Sequence, residues 1–133
     1  YGQYSKWSTN KEINTANAIS HAACAVSRSQ MIGVLATMTH SGYTARMAAR
    51  YRPASKIIAL TPFKKTCRKL AIVWGVSPAL VKNYKSADEI PEVANEELQK
   101  LGLIKKGESF VVTGGVPVGI SGTTNYLTVL TGT

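Results

Sequence analysis

The middle of this sequence has no acid. From Ile13 to Ala87 there is neither Asp nor Glu, against eleven Lys and Arg, and five of the seven acids fall in the ten residues "DEIPEVANEE", 88–97. With a net charge of +9, one half of the chain is strongly positive. That balance fits salt bridges to partner surfaces, nucleic acid or small phosphorylated ligands. No RNP, KH, zinc-finger or helix-turn-helix signature accompanies the charge, so nucleic acid is not expected. Cysteine is scarce: Cys24 and Cys67 stand alone, outside any C-x-x-C pair and away from histidine at ligand spacing. Two free thiols, with no metal site, fit a reducing cytoplasm. No apolar run approaches the roughly 20 residues of a membrane span, so no membrane partner is expected. G-x-x-x-x-G-K-[ST] is absent, and nothing indicates nucleotide hydrolysis. There is no internal repeat, no low-complexity tract and no signal peptide before the first helix. The chain opens on Tyr1 and not Met, as expected of a piece of a longer product.

What is present is one alternating pattern. At 133 residues the chain suffices for a single core and needs no disulfide or metal staple. Residues 1–11 are polar and read as a leader or linker remnant; 12–133 read as one α/β domain. "INTANAISHAACAV" (13–26) sets Ile13, Ala16, Ile19, Ala23 and Val26 on one helical stripe. "MIGVLATM" (31–38) and "IIALTP" (57–62) are continuous apolar runs, as in strands covered on both faces. Between them, 42–52 is helical and stops at Pro53. Thr61 caps a helix with Pro62 at its first position; Phe63, Cys67, Leu70, Ala71 and Trp74 form its inner face, and Gly75 ends it. "VSPALVK" (76–82) is a short edge strand with a proline. An acidic helix begins at Ser86 or Asp88, turns Ile90, Val93, Ala94, Leu98 and Leu101 inward, and closes at Gly102. "SFVVTGG" (109–115) and "NYLTVLTG" (125–132) are the last strands, joined by the glycine-rich "GVPVGISGTT".

The pattern predicts a three-layer α/β/α sandwich with a five-stranded, mostly parallel sheet. The last connection holds no helix, so strand 5 is antiparallel and the order is 3-2-1-4-5. Open sheets bind ligands beyond the carboxyl ends of the strands at the point where the order reverses. Here that crevice lies between the loop after strand 1 and the glycine-rich loop after strand 4.

The loop after strand 1 reads Thr39-His40-Ser41-Gly42-Tyr43-Thr44. Thr39, Ser41 and Thr44 offer hydroxyls, Gly42 permits a close backbone turn, and the following helix directs free N–H groups and a positive dipole end at the same spot. His40 adds a donor or a charge according to its titration. Such a cradle suits a phosphate monoester; equally, Ser41 or Thr39 serves as an ordinary helix cap.

"THSGYTARMAARYRP", "IIALTP", "LAIVWGVSPALV" and "GGVPVGISGTTN" together closely resemble the C-terminal domain of pyruvate kinase, from about Ile13 to the end. The resemblance implies a regulatory and oligomerisation domain of a cytoplasmic glycolytic homotetramer. Its parent enzyme transfers phosphoryl from phosphoenolpyruvate to ADP. Mg2+ and K+ belong to the family's catalytic barrel, which is missing here, so no cofactor and no catalytic residue is carried over and the fragment alone is expected to be inactive. The family's effector-phosphate loop matches Thr39, His40, Ser41, Gly42 and Thr44. Its second effector loop matches Gly115, Val116, Pro117, Val118, Gly119 and Ile120. Val116 stands where some members grip a second phosphate with Arg, and no Trp or Arg lies between Lys85 and Lys100. The resemblance therefore leaves a sugar phosphate with one phosphate held, a nucleoside monophosphate or inorganic phosphate as effector. A stand-alone phosphate-binding protein of the same fold is the alternative.

Arg46, Arg50 and Arg52 are expected at an interface with another domain or subunit, where planar bidentate groups suit carboxylates. His21 is expected to pack or to meet an interface, and Phe63 and Trp74 to lie in the core. Lys64, Lys65, Arg68 and Lys69 form a solvated helix face.

Overall fold

A computed structural model of the chain describes residues 11–115 and 126–133. Helix α1 spans Lys11–Ser29, followed by β1 (Val34–Met38), α2 (Tyr43–Arg50), β2 (Lys56–Thr61), α3 (Lys64–Leu70) and β3 (Val76–Leu80). A 3-10 turn at Ala87–Glu89 leads into α4 (Ile90–Lys100), then β4 (Ser109–Gly114) and β5 (Tyr126–Thr131). The sheet order is β3-β2-β1-β4-β5. The first three pairings are parallel and β4–β5 is antiparallel, the arrangement that the alternation of elements predicts.

All five residues of β1 are buried, as are all but the first of β2 and β4. Their apolar runs are continuous because both faces of the sheet are covered. Alternation divides the side chains between two cores. Val34, Ala36, Met38, Ile58, Leu60, Phe110 and Val112 pack with Ile90, Val93, Ala94 and Leu98 of α4. Leu35, Ile57, Ala59 and Val111 pack with Ala23 and Cys24 of α1, Ala45 and Ala48 of α2, and Leu70 of α3. Small residues on α1 and α2 let these helices lie close to the strands. Each fully buried Leu or Phe contributes roughly 1.5–3 kcal/mol.

Several local expectations are corrected. The strand expected over 31–38 begins only at Val34; Met31 sits in the preceding turn with φ 55 and is exposed. Helix α3 starts at Lys64, after Phe63 in an extended N-cap conformation. Thr61 does not cap it: its Oγ1 accepts the N–H of Phe63, 3.2 Å away, in a turn ahead of the helix. The helix then ends at Leu70, so only Thr66 and Leu70 are buried on it. Phe63, Ala71 and Trp74 are exposed, not core, and so is Leu101. The shortened helix never carries Trp74 round to the sheet. The thiols of Cys24 and Cys67 are free, and burial pushes both above their ordinary pKa. No helix among the described residues is long and apolar enough to cross a membrane.

Candidate functional site

The sheet order reverses at β1, whose neighbours are β2 and β4. β1 and β4 end side by side: a Cβ placed on Gly114 would stand 3.2 Å from Met38 Cβ. Beyond them the hexad leaves β1. Thr39, just past β1, donates its N–H to Leu60 O at 3.0 Å. Its hydroxyl is buried, and Oγ1 accepts the N–H of Gly42 at 2.7 Å. Thr39 therefore closes the turn from within.

Gly42 is the N-cap of α2, with φ 95 and ψ −4, and has no side chain with which to cap it. Glycine is required here twice over. The left-handed conformation is strained for any residue with a Cβ, and a Cβ would meet Leu70 Cδ2 at 3.1 Å. The first turn of α2 holds no acid, so its positive end is not neutralised by the helix's own sequence. Ser41 Oγ lies 3.4 Å from the N–H of Tyr43, a long contact on the half-buried rim. Thr44 is buried on the inner side of α2. Ser41 and Tyr43 are thus the half-exposed hydroxyl-bearing residues of the hexad, beside a helix end whose N-cap has no side chain.

His40 turns elsewhere. Its ring lies 5.4 Å from Phe63 and 5.3 Å from Tyr84, tilted against both. Burial lowers its pKa, so at neutral pH the imidazole adds no cation to the crevice. Burial also pushes the neighbouring Tyr84 hydroxyl up to about 12. The His40 carbonyl is fixed by the Thr66 hydroxyl, which donates to it at 2.6 Å. The signal for this aromatic cluster was in the sequence as three separated aromatic rings, but only the parallel strand ends bring them together.

Gly115 follows β4 and is half-buried. Val116, Pro117, Val118, Gly119 and Ile120 of the second loop lie outside the described residues. Arg46 and Arg50 are exposed on α2, Arg50 Nη1 reaching Met47 Sδ at 3.9 Å. Arg52, with φ 44, holds its guanidinium 5.2 Å from the centre of the exposed Trp74 ring. His21 is exposed and packs on Tyr51, centroids 5.3 Å apart. Among the described residues, no group of three or more His, Cys, Asp or Glu is placed to hold a metal ion.

Two comparisons bear on this arrangement. The pattern of the family described as "Pyruvate kinase, alpha/beta domain" matches residues 17–130. A pyruvate kinase of Clostridium acetobutylicum is 38% identical over 120 residues, covering 90% of this chain and 25% of the relative. One of Lactobacillus delbrueckii subsp. bulgaricus is 38% identical over 117 residues, covering 88% and 20%. One of Staphylococcus aureus strain USA300 is 37% identical over 116 residues, covering 87% and 20%. The chain thus spans a fifth to a quarter of the length of these relatives.

Proposed function

This chain belongs to the pyruvate kinase alpha/beta domain family, and we propose that it is the regulatory and assembly domain of a full-length pyruvate kinase, binding a phosphorylated effector at the hexad. The observation that carries this reading is the start of α2. A left-handed glycine N-cap, with no side chain of its own and no first-turn acid behind it, sits where the sheet order reverses. The anion is held by N–H groups of the α2 first turn and the Ser41 hydroxyl, with Thr39 shaping the turn beneath. The ligand is a sugar phosphate, a nucleoside monophosphate or inorganic phosphate.

The domain has no chemistry of its own in this reading. Phosphoryl transfer from phosphoenolpyruvate to ADP, with Mg2+ and K+, belongs to the remainder of the polypeptide, and the homotetramer works in the cytoplasm. The effector acts by binding one quaternary arrangement more tightly than another, so effector and substrate strengthen each other's binding. The exposed turn after α3 is the surface offered to the remaining polypeptide: Ile72 and Trp74 are 89% and 76% exposed, and Arg52 stands against Trp74. Arg46 and Arg50 extend that role along α2.

The test is a titration of the 15N-labelled chain with inorganic phosphate and with a sugar monophosphate. Amide shifts are expected to concentrate at residues 39–45, with thermal stabilisation of about 1.4 kcal/mol at tenfold saturation. Ser41→Ala is expected to weaken both responses. Saturable shifts centred elsewhere, or no response at millimolar ligand, would remove the effector assignment.

A further inference from the structure

Among the described residues, three buried hydroxyls have no hydrogen-bond partner: Ser20 Oγ, Thr37 Oγ1 and Thr113 Oγ1. Their residues are 1%, 0% and 1% exposed. A buried hydroxyl without a partner is costly, and valine would fill the place of either threonine without that cost.

The three come from different elements, and two of them are paired across the sheet. Thr37 and Thr113 are register partners on the parallel strands β1 and β4. Their Cα atoms are therefore about 4.8 Å apart and their side chains leave the same face. Each alternates with a residue of the core under α1, Leu35 and Val111, which pack in one cluster with Ala23 and Cys24. Helix α1 runs back along β1 through a short turn, in which Ile32 N–H donates to Ser27 O at 2.8 Å. Moving from Leu35 to Thr37 climbs about 6.6 Å along the strand. Moving from Ala23 to Ser20 climbs about 4.5 Å along the helix, in the same direction. Ser20 thus lies beyond Ala23 in the direction in which the threonine pair lies beyond Leu35 and Val111.

We propose that Ser20, Thr37 and Thr113 form a buried site for one water molecule, which joins α1 to the roots of both loops of the crevice. A buried water typically makes about three hydrogen bonds, and three hydroxyls, each able to donate or accept, supply them. The neutral donor set does not suit a metal cation, since no carboxylate offsets the cost of stripping its hydration. Thr37 precedes Thr39 by two residues and Thr113 precedes Gly115 by two. The water thus fixes the spacing of the two strand ends against the helix, whether or not the crevice takes an anion.

The experiment uses the 133-residue chain, 13C/15N-labelled, with water-selective NOE spectra and urea denaturation. The wild-type chain is expected to show NOEs from a long-lived water to the Thr37 and Thr113 methyl groups. The Thr37→Val/Thr113→Val double variant is expected to show no such water NOEs to the valine methyl groups at the two positions. Each single valine variant takes one partner from the water and should shift the folding equilibrium toward the unfolded state by roughly tenfold. Absence of the water signal in the wild-type chain overturns the proposal. So does a higher urea midpoint in both single variants, because valine then relieves hydroxyls that nothing bridges. The wild-type spectrum decides the matter even if a variant fails to fold.

Discussion

Two helices of this domain begin in opposite ways. The 3-10 turn leading into α4 carries a capping box of Ser86 and Glu89. Glu89 Oε2 accepts the N–H groups of Lys85 at 2.6 Å and Ser86 at 3.1 Å. Those two backbone bonds hold its carboxyl below the usual pKa, ahead of the smaller pull of Lys82 and Lys85. Asp88 and Glu89 lie in that turn and Glu92 in the first turn of α4, so the positive end of the helix meets charge from its own sequence. Helix α2 begins with glycine, no capping side chain and no acid. One start carries acids that meet its dipole end; the other has none, and its turn is held by the Thr39 and Ser41 hydroxyls. The difference separates a helix end that serves stability from one that can serve binding.

The largest test of this contrast is Gly42→Ala, which forces a Cβ into a left-handed N-cap and against Leu70. It is expected to destabilise the chain by about 2 kcal/mol or more, measured from the urea midpoint, and to abolish the phosphate response. An unchanged midpoint would mean that the turn is not held in this conformation. Ser86→Ala comes next, at about 1 kcal/mol. It should leave the phosphate response at α2 intact, since the two starts are separate sites. The smallest change is Tyr43→Asp, which gives α2 the acid that α4 already has. It should stabilise the ligand-free chain by about 0.5 kcal/mol while weakening binding of inorganic phosphate, measured by amide titration. A Tyr43→Asp variant that binds phosphate as tightly as the parent would show that the dipole end is not where the anion sits.

The sheet was legible because strands and helices alternate without ambiguity. "MIGVLATM" and "IIALTP" can only be strands covered on both faces, and the helix-free last connection requires an antiparallel β5. The failures at the helix ends have one physical source. Periodicity marks an apolar stripe but not how far the helix carrying it extends. Helix α3 stops at Leu70, so Trp74 never reaches the sheet, and Leu101 lies just past the end of α4. At the hexad the residue types suggested a cradle of several outward hydroxyls. Thr39 is instead spent on Gly42 N–H, and His40 is held by Phe63 and Tyr84, neighbours supplied by the segments after β2 and β3. Which hydroxyl points out and which closes a turn depends on φ at Gly42, a quantity that residue type permits but does not specify.

Leu70 lies at the end of α3 with its side chain under Gly42, and the exposed turn bearing Ile72 and Trp74 follows it directly. Thr66, one turn earlier, grips the His40 carbonyl. Helix α3 is therefore a short lever resting under the hexad, with its handle at the molecular surface. The floor beneath Gly42 is thus two residues from the exposed Ile72 and four from Trp74, with no long relay through the sheet between them.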